Sequence, residues 1–461
     1  MGATVTFWGA AQSVSGSSHL VEAAGRRVLL DCGLHLGPRA QARERNTYFP
    51  YDPTALDAVV LSHAHIDHCG NLPNLVRQGY EGPIYCTPAT RDLLRVMLHD
   101  SARIQEEEAG VAKMLDITDD VHGQPLYTQR DVDQTIEQCV AVGYDEPRTV
   151  AGDVQLRLSD AGHLLGSAIT HLSFRANGHD QSVAFTGDLG RAGLPFLHPP
   201  ARVPAADLVV SECTYGGRTH QPLEALANTL AAVVTRTIER HGKVLIPAFS
   251  LGRAQVVIYY LQEWMETGRM PRVPLWVDSG LAASVAEVYR LHPDLLAPHT
   301  LHRLAEAPAG SVHYARALSE SKELSRDPTP AVIVASGGMC EAGRILRHLQ
   351  HHVDDPRASI VLVSYQAPQS LGQRLRERGP TVTFLGKKWN KWAEVVDLNG
   401  FSGHADHNDL LGQLAPLAGR GKLRLVHGQV EQAAVLAQDL RERGVADVAI
   451  PARGEQAALC N

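Results

Sequence analysis

The chain reads as an α/β protein of two units, the second inserted into the first, and three observations predict this. Short apolar strands ending in Gly, Asp or His punctuate residues 4–212 and return near residue 422. Between them, over 222–385, the pattern becomes a helix and strand alternation. The length, 461 residues, exceeds what one hydrophobic core usually serves. The expected division is a first unit over 1–217 and 393–461, carrying a surface helical insert at 89–145, and an inserted unit over 218–392.

Taken in order, 4–7, 19–22 and 27–30 are expected strands, the last running into Asp31-Cys32-Gly33. The apolar strand 58–61 leads straight into Ser62-His63. Residues 72–82 read as helix and turn, and 84–86 as the next parallel strand. Helices are expected at 90–115 and 131–140, with the acidic and apolar faces of a surface insert. Strands resume at 154–158, 168–174 and 183–185, the last ending in Thr186-Gly187-Asp188, and 208–211 leads into Glu212. In the inserted unit helices are expected at 223–241, 253–267 and 282–291. Buried strands are expected there at 243–247, 275–277, 331–335, 359–363 and 381–384. A strand at 422–426 and a helix at 430–444 restore the first pattern.

Composition narrows the class. An apolar fraction of 44% and a charged fraction of 20% are ordinary for a soluble globular protein, and no apolar run is long enough to span a bilayer. No membrane partner is expected. Residues 1–30 lack the features of a secretory signal, so a cytoplasmic location is expected. Seven cysteines, at 32, 69, 86, 139, 213, 340 and 460, show no paired spacing and read as reduced, mostly buried residues. The formal charge of −7 repels a polyanion at long range, so nucleic-acid binding requires a local basic groove. The 23 histidines weigh the other way, because several sit beside carboxylates.

The strongest chemical signal is His63-Ala64-His65-Ile66-Asp67-His68. An extended start puts His63 and His65 on one side of the backbone, and the following turn swings Asp67 and His68 towards a neighbouring position. One loop can thereby serve two metals. Imidazole and carboxylate donors suit zinc, with manganese or iron as alternatives, and the lack of cysteine argues against a closed structural zinc site. A lone His-x-His is more often a polar turn; the added Asp and His after a buried strand favour a site. Gly162-His163-Leu164, Gly187-Asp188-Leu189 and Val426-His427-Gly428 place further donors at strand ends, where function concentrates in α/β sheets. Each alone would be an ordinary turn residue; together they complete a ligand set.

With these residues the chain resembles the metallo-β-lactamase superfamily over residues 3–220 and 397–461. That resemblance implies an αββα sandwich, with one metal on His63, His65 and His163, the other on Asp67, His68 and His427, and Asp188 bridging them. It makes Asp31 an orienting residue behind the ligands. Ser211-Glu212-Cys213-Thr214-Tyr215-Gly216, Phe401-Ser402-Gly403-His404-Ala405-Asp406 and Val426-His427-Gly428 resemble the three motifs of the β-CASP nuclease branch. Pro247-Ala248-Phe249 with Arg253-Ala254-Gln255, and Ala335-Ser336-Gly337-Gly338-Met339 with Gly343-Arg344, resemble its inserted domain. The resemblance covers nearly the whole chain except 95–150. Cys213 and Gln429 depart from the residues usual there, and neither is a required ligand. The chain is expected to have no RNA-binding extension before residue 3 and no long tail after the fold, which would distinguish it from archaeal members and from ribonuclease J. It looks nearest to compact bacterial relatives of the nuclease subunit of the pre-mRNA 3′-end cleavage complex.

Physically, Ser336, Gly337 and Gly338 after a buried strand could leave backbone N–H groups open to an anion, and Arg344 could add a bidentate fork to a phosphate. A tight turn with a surface arginine is the plain alternative. Arg374, Arg376, Arg378, Lys387, Lys388 and Lys391, with Trp389 and Trp392, could line a strand-binding groove, although such charge runs are usually solvated faces.

The expected reaction is phosphodiester hydrolysis by a hydroxide that two metals activate, leaving a 5′-phosphate and a 3′-hydroxyl. Asp67 ligates a metal and holds the hydroxide's proton. His404 is the expected general acid, with Glu212 orienting it and favouring its protonated form. RNA is the first substrate expected, because the Artemis-like DNA-repair branch lacks a histidine at the position of His427. Single-stranded DNA stays open as a second substrate, since this chemistry does not read the 2′-hydroxyl. A homodimer is a candidate assembly. Two alternatives remain, a small-molecule hydrolase of lactonase or thioesterase type and a non-catalytic RNA-binding scaffold.

Overall fold

The computed structural model describes residues 2–114, 124–194, 196–301, 311–398 and 400–459. Leu115, the expected end of the insert helix, and Cys460 lie outside them. Two compact units result, Met1–Thr219 with His404–Asn461, and His220–Gly403.

Before the insertion the chain forms β1 (Thr4–Gly9), β2 (Ser18–Ala23), β3 (Arg26–Leu30), β4 (Ala58–Val60), β5 (Ile84–Cys86), β6 (Cys139–Ala141), β7 (Arg148–Ala151), β8 (Val154–Asp160), β9 (Ala168–Ala176), β10 (His179–Phe185) and β11 (Leu208–Glu212). The inserted unit holds β12 (Val244–Ala248), β13 (Leu275–Asp278), β14 (His313–Ala315), β15 (Val332–Ser336), β16 (Ser359–Leu362), β17 (Thr381–Phe384), β18 (Lys387–Asn390) and β19 (Glu394–Asp397). The chain then returns with β20 (Lys422–Val426), β21 (Val448–Ala449) and β22 (Gln456–Ala458).

In the first unit the described strands make two seven-stranded sheets, ordered β22-β1-β2-β3-β4-β5-β6 and β21-β20-β11-β10-β9-β8-β7. Strands β3 to β6 run parallel, as do β10, β11, β20 and β21. Alternation sends Val5, Phe7, Val21, Val28 and Leu30 to one face, where they share a buried cluster with Leu156, Leu172, Val183, Val210 and Val426 of the second sheet. Helices His407–Leu414 and Val430–Glu442 cover the second sheet's other face through Leu410, Leu436 and Leu440. On the first sheet's side, helix Pro88–Met114 packs on β6 and against helix Gln129–Glu137. The αββα layering is the one the family resemblance implies.

One expectation fails locally. Residues 131–140 read as a single helix, but the helix ends at Glu137 and β6 pairs parallel to β5. A three-residue, half-buried edge strand carries no periodicity to read.

The inserted unit has a six-stranded, wholly parallel sheet, ordered β14-β13-β15-β12-β16-β19. Its central strands β12, β15 and β16 are near-continuous apolar runs, as strands covered on both faces require. The expectation of a buried strand at 381–384 is corrected: β17 pairs only with β18, antiparallel, in a separate hairpin. Its Thr-Val-Thr-Phe alternation buries Val382 and Phe384 alone, which is the pattern of a strand covered on one face. Among the described residues no helix is long and apolar enough to cross a membrane.

Candidate metal centre

The donor-bearing residues lie just beyond the ends of five strands of the first unit. After β4 the chain stays extended through His63 to His65, then winds into the short helix Ile66–Cys69, whose first turn carries Asp67 and His68. His163 follows β8, Asp188 follows β10, Glu212 ends β11, and His427 follows β20. Gly187 lies so near Ser62 that a Cβ there would stand 2.6 Å from the serine Cβ, and its φ is +53°. No other residue lets the strand end approach the histidine loop this closely.

Two groups of donors result. In the first, His63 Nε2 lies 3.1 Å and His163 Nε2 3.4 Å from His65 Nδ1, while Asp188 Oδ2 lies 3.5 Å from His63 and 3.6 Å from His163. In the second, His427 Nε2 lies 3.1 Å from His68 Nε2 and 3.3 Å from Asp67 Oδ2, and Asp188 Oδ1 lies 3.3 Å from His68 Nε2. The two oxygens of Asp188 thus face different groups. Such separations match the corners of a tetrahedron about 2.0–2.1 Å from its centre, the distance at which zinc holds nitrogen and oxygen. Asp188 Oδ1 is buried without a hydrogen-bond partner, an arrangement that costs free energy unless a cation shares the space. Both groups can hold a divalent ion.

Electrostatics agree with that capacity. Burial pushes His65 down to about 4 and His63 well below the imidazole range, so both are neutral lone-pair donors at neutral pH. Burial works against ionising Asp188, but His427, His68 and His404 outweigh it and hold the carboxyl well below its usual range. At Asp67 burial is likewise overcome, by the hydrogen bond from His427 and the charge of His68. His68 goes the other way: Asp188 and Asp31 overcome its burial and raise it.

Asp31 stands behind the donors. Its carboxylate accepts from His68 Nδ1 at 2.7 Å, from Ser62 N at 2.8 Å, and from the Ser62 and Ser17 hydroxyls at 3.0 Å. With Nδ1 engaged, His68 presents Nε2 to the donor group. Reading the sequence missed three supports. Ser62 Oγ lies 3.0 Å from His63 Nδ1, Thr214 Oγ1 lies 3.1 Å from His427 Nδ1 and donates to its carbonyl, and Ser167 Oγ accepts from His163 N. Ser62 and Thr214 adjoin recognised motifs and could have been found there; nothing local marks Ser167.

His404 lies two residues before Asp406, which caps the helix that follows. It sits in a strand-like bridge opposite Gly190, with Ala405 N donating to Leu189 O. Its Nδ1 lies 3.2 Å from both oxygens of Glu212, whose Oε1 also accepts from Leu189 N at 2.6 Å. Glu212 is fully buried while the His404 side chain is 17% exposed, so the imidazole is the half of the pair within reach of a ligand.

In the inserted unit the structure turns the expected phosphate fork inward. Arg344 donates to Asp278 Oδ1 and Ala315 O at 2.7 Å and to Arg316 O at 2.5 Å, because the carboxylate of buried Asp278 needs a cation. Its backbone N–H donates to Ser336 Oγ. Gly337 adopts φ +112° where a Cβ would meet Ala342 O at 2.0 Å, and Gly338 packs on the Phe249 ring. The basic run is partly spent as well: Arg376 pairs with Asp397, Arg374 donates to Thr383 O, and Lys391 to Leu375 O. Trp389 stacks on Phe384 beneath the Lys387 ammonium, whereas Trp392 is 58% exposed.

Comparison with known proteins agrees with this architecture. Residues 26–238 match the model of a beta-lactamase superfamily domain, 254–375 that of the Beta-Casp domain, and 392–451 that of a Zn-dependent metallo-hydrolase RNA specificity domain. The chain is 37% identical to Ribonuclease TTHA0252 of Thermus thermophilus over 95% of its own length and 96% of that protein. It is 33% identical to transcription termination factor FttA of Methanosarcina mazei, over 88% of this chain and 64% of that one. A crystal structure of an Enterococcus faecalis protein of unknown function shares the fold, with a TM-score of 0.55 at 14% identity, covering 99% of this chain and 100% of the other.

Proposed function

This chain belongs to the β-CASP family of the metallo-β-lactamase superfamily and is a metallo-hydrolase, and on that premise we propose that it is a two-metal ribonuclease. It hydrolyses RNA, with single-stranded DNA as a second substrate, and leaves a 5′-phosphate and a 3′-hydroxyl. One observation carries the reading: two donor groups stand side by side with Asp188 facing both, and the Glu212–His404 pair lies beside them. His63, His65 and His163 would hold one ion, Asp67, His68 and His427 the other, and Asp188 would bridge them. Zinc suits the donors best, with manganese as the alternative.

Bound there, the ions supply an acidified water and offset the charge of the phosphodiester. The protein does the rest. Asp67 stays ionised and holds the proton of the attacking water in place. Glu212 fixes His404 through Nδ1, which leaves Nε2 to protonate the departing 3′ oxygen. In the inserted unit the Ser336–Gly338 turn offers backbone N–H groups to a phosphate, without help from Arg344. Similarity to a protein named a ribonuclease, and to an RNA specificity domain, supports RNA over other substrates.

The test is end-labelled RNA and DNA, with 5′-phosphate or 5′-hydroxyl, incubated with wild type, Asp67→Ala and His404→Ala under added Zn²⁺ or Mn²⁺. Wild type should cleave RNA and Asp67→Ala should not. His404→Ala should lose about 10²–10⁴-fold in rate, the usual worth of a general acid. Ester hydrolysis without any oligonucleotide cleavage would mark a small-molecule hydrolase instead, and tight RNA binding by a metal-free wild type that cleaves nothing would mark a scaffold.

A further inference from the structure

We propose that the first unit carries a second ligand site, a pocket behind the metal loop that takes one nucleotide by its phosphate and its flat base. A cavity of about 260 Å³ lies beside β1, β2 and the turn after β3. That is just under the usual size of small-molecule pockets, which admits one nucleotide unit and no second one.

The lining decides the chemistry. It includes Arg45 and Arg453 and, among the described residues, no Asp or Glu, in a chain whose formal charge is −7; His35, pushed down by burial and by Arg45, accepts from that arginine at 2.8 Å. Such a wall selects an anion. Trp8, Phe49 and Tyr51 add aromatic surface, with the Phe49 and Tyr51 ring centroids 5.6 Å apart, and a nucleobase of any identity stacks on such faces. Two lining residues also carry a buried polar atom that no protein group meets, Trp8 Nε1, a donor, and Asn71 Oδ1, an acceptor. Asn71 is only 3% exposed, and its Nδ2 is committed to Asn46 O at 3.0 Å. One donor and one acceptor suit the edge of a base, which carries both; inorganic phosphate satisfies only the donor.

The pocket's wall is also the back of the metal loop. Gly33 passes so close that a Cβ there would stand 1.7 Å from Asp67 O. Cys32 N donates to His68 O, and on the other side His427 N donates to Ala10 O. An occupant therefore bears on the segments that carry Asp67, His68 and His427. This inference goes beyond the two-metal reading and does not depend on it. The nucleotide could come from a unit of a bound strand or from a free mononucleotide, and the experiment separates the two.

Isothermal titration of the zinc-loaded protein with uridine and adenosine 5′-monophosphates, against inorganic phosphate, is the test. The nucleotides should bind at least about tenfold tighter than phosphate. Arg45→Gln, Arg453→Gln and Phe49→Ala should each weaken them about tenfold, at wild-type metal content and melting temperature. Displacement of a labelled, hydrolysis-resistant oligoribonucleotide by the mononucleotide, lost in Arg45→Gln, assigns the pocket to a strand; simultaneous binding of both assigns it to a free nucleotide. Nucleotide binding no tighter than phosphate, or unchanged in all three variants, overturns the proposal. A protein that binds uridine monophosphate in this way yet cleaves no RNA would sink the ribonuclease reading and leave this one standing.

Discussion

Each unit keeps a cluster of Asp, His and Ser at the end of a parallel strand, and the two clusters answer burial in opposite ways. In the first unit Asp188 is surrounded by imidazoles whose nitrogens crowd it at 3.3–3.8 Å, and one of its oxygens has no hydrogen bond. In the inserted unit Asp278 is just as buried, but Arg344 meets one oxygen at 2.7 Å, and His348 at 2.7 Å and Ser321 at 2.5 Å meet the other. Burial would raise Asp278, and those three partners hold it below the usual carboxylate range instead. Residue type alone does not make a site. A site forms where the fold withholds the partners a buried charge needs.

That contrast can be broken in four ways. Asp188→Ala should empty both donor groups and cut turnover by at least about 10³-fold, since several kcal/mol of charge stabilisation go with the ions; elemental analysis beside the cleavage assay checks it, and a variant that kept its metal would end the comparison. Asp278→Ala should leave metal content intact yet cost about 3–5 kcal/mol in urea unfolding, the penalty for stranding one half of a buried ion pair. Asp31→Asn keeps the shape but weakens the hold on His68, so chelator competition should show metal affinity about 10–100-fold lower.

The smallest effect concerns pH. In the inserted unit His352 is pushed down to about 4, first by burial and then by Lys243 and His348. Its folded form is neutral while the unfolded chain protonates near 6.5, so its contribution is present above pH 6.5 and is lost as pH falls from 6.5 towards 4. His352→Gln should flatten that part of the stability profile by about 2 kcal/mol, read from unfolding midpoints at several pH values.

Much of the metal centre was legible because its densest part is contiguous. His63, His65, Asp67 and His68 lie within six positions, and the spacing itself announces an extended start and a turn; that the turn is the first turn of a short helix only the structure shows. His163, Asp188 and His427 were picked out by the rule that function collects at strand ends, and Glu212 only by the resemblance of its motif. Ser17 was invisible because its value lies in a contact to Asp31 on another segment, and Ser167 because the turn that brings it to the His163 backbone carries no recognised motif. Arg344 was legible as an arginine after a glycine turn, but not as the partner of Asp278, which lies 66 residues earlier. The fold's layers followed from alternation, whereas β6, β14 and β19 are too short or too exposed to leave a pattern.

The insertion also orders events in time. His63, His65, Asp67, His68, His163 and Asp188 are all made before the inserted unit, but His404 and His427 come after it. At about 5–20 residues per second of synthesis, roughly ten to forty seconds separate Asp188 from His404. Throughout that interval the growing chain holds the first donor group but neither His404 nor His427, so the candidate site is completed only after the whole inserted unit has been made.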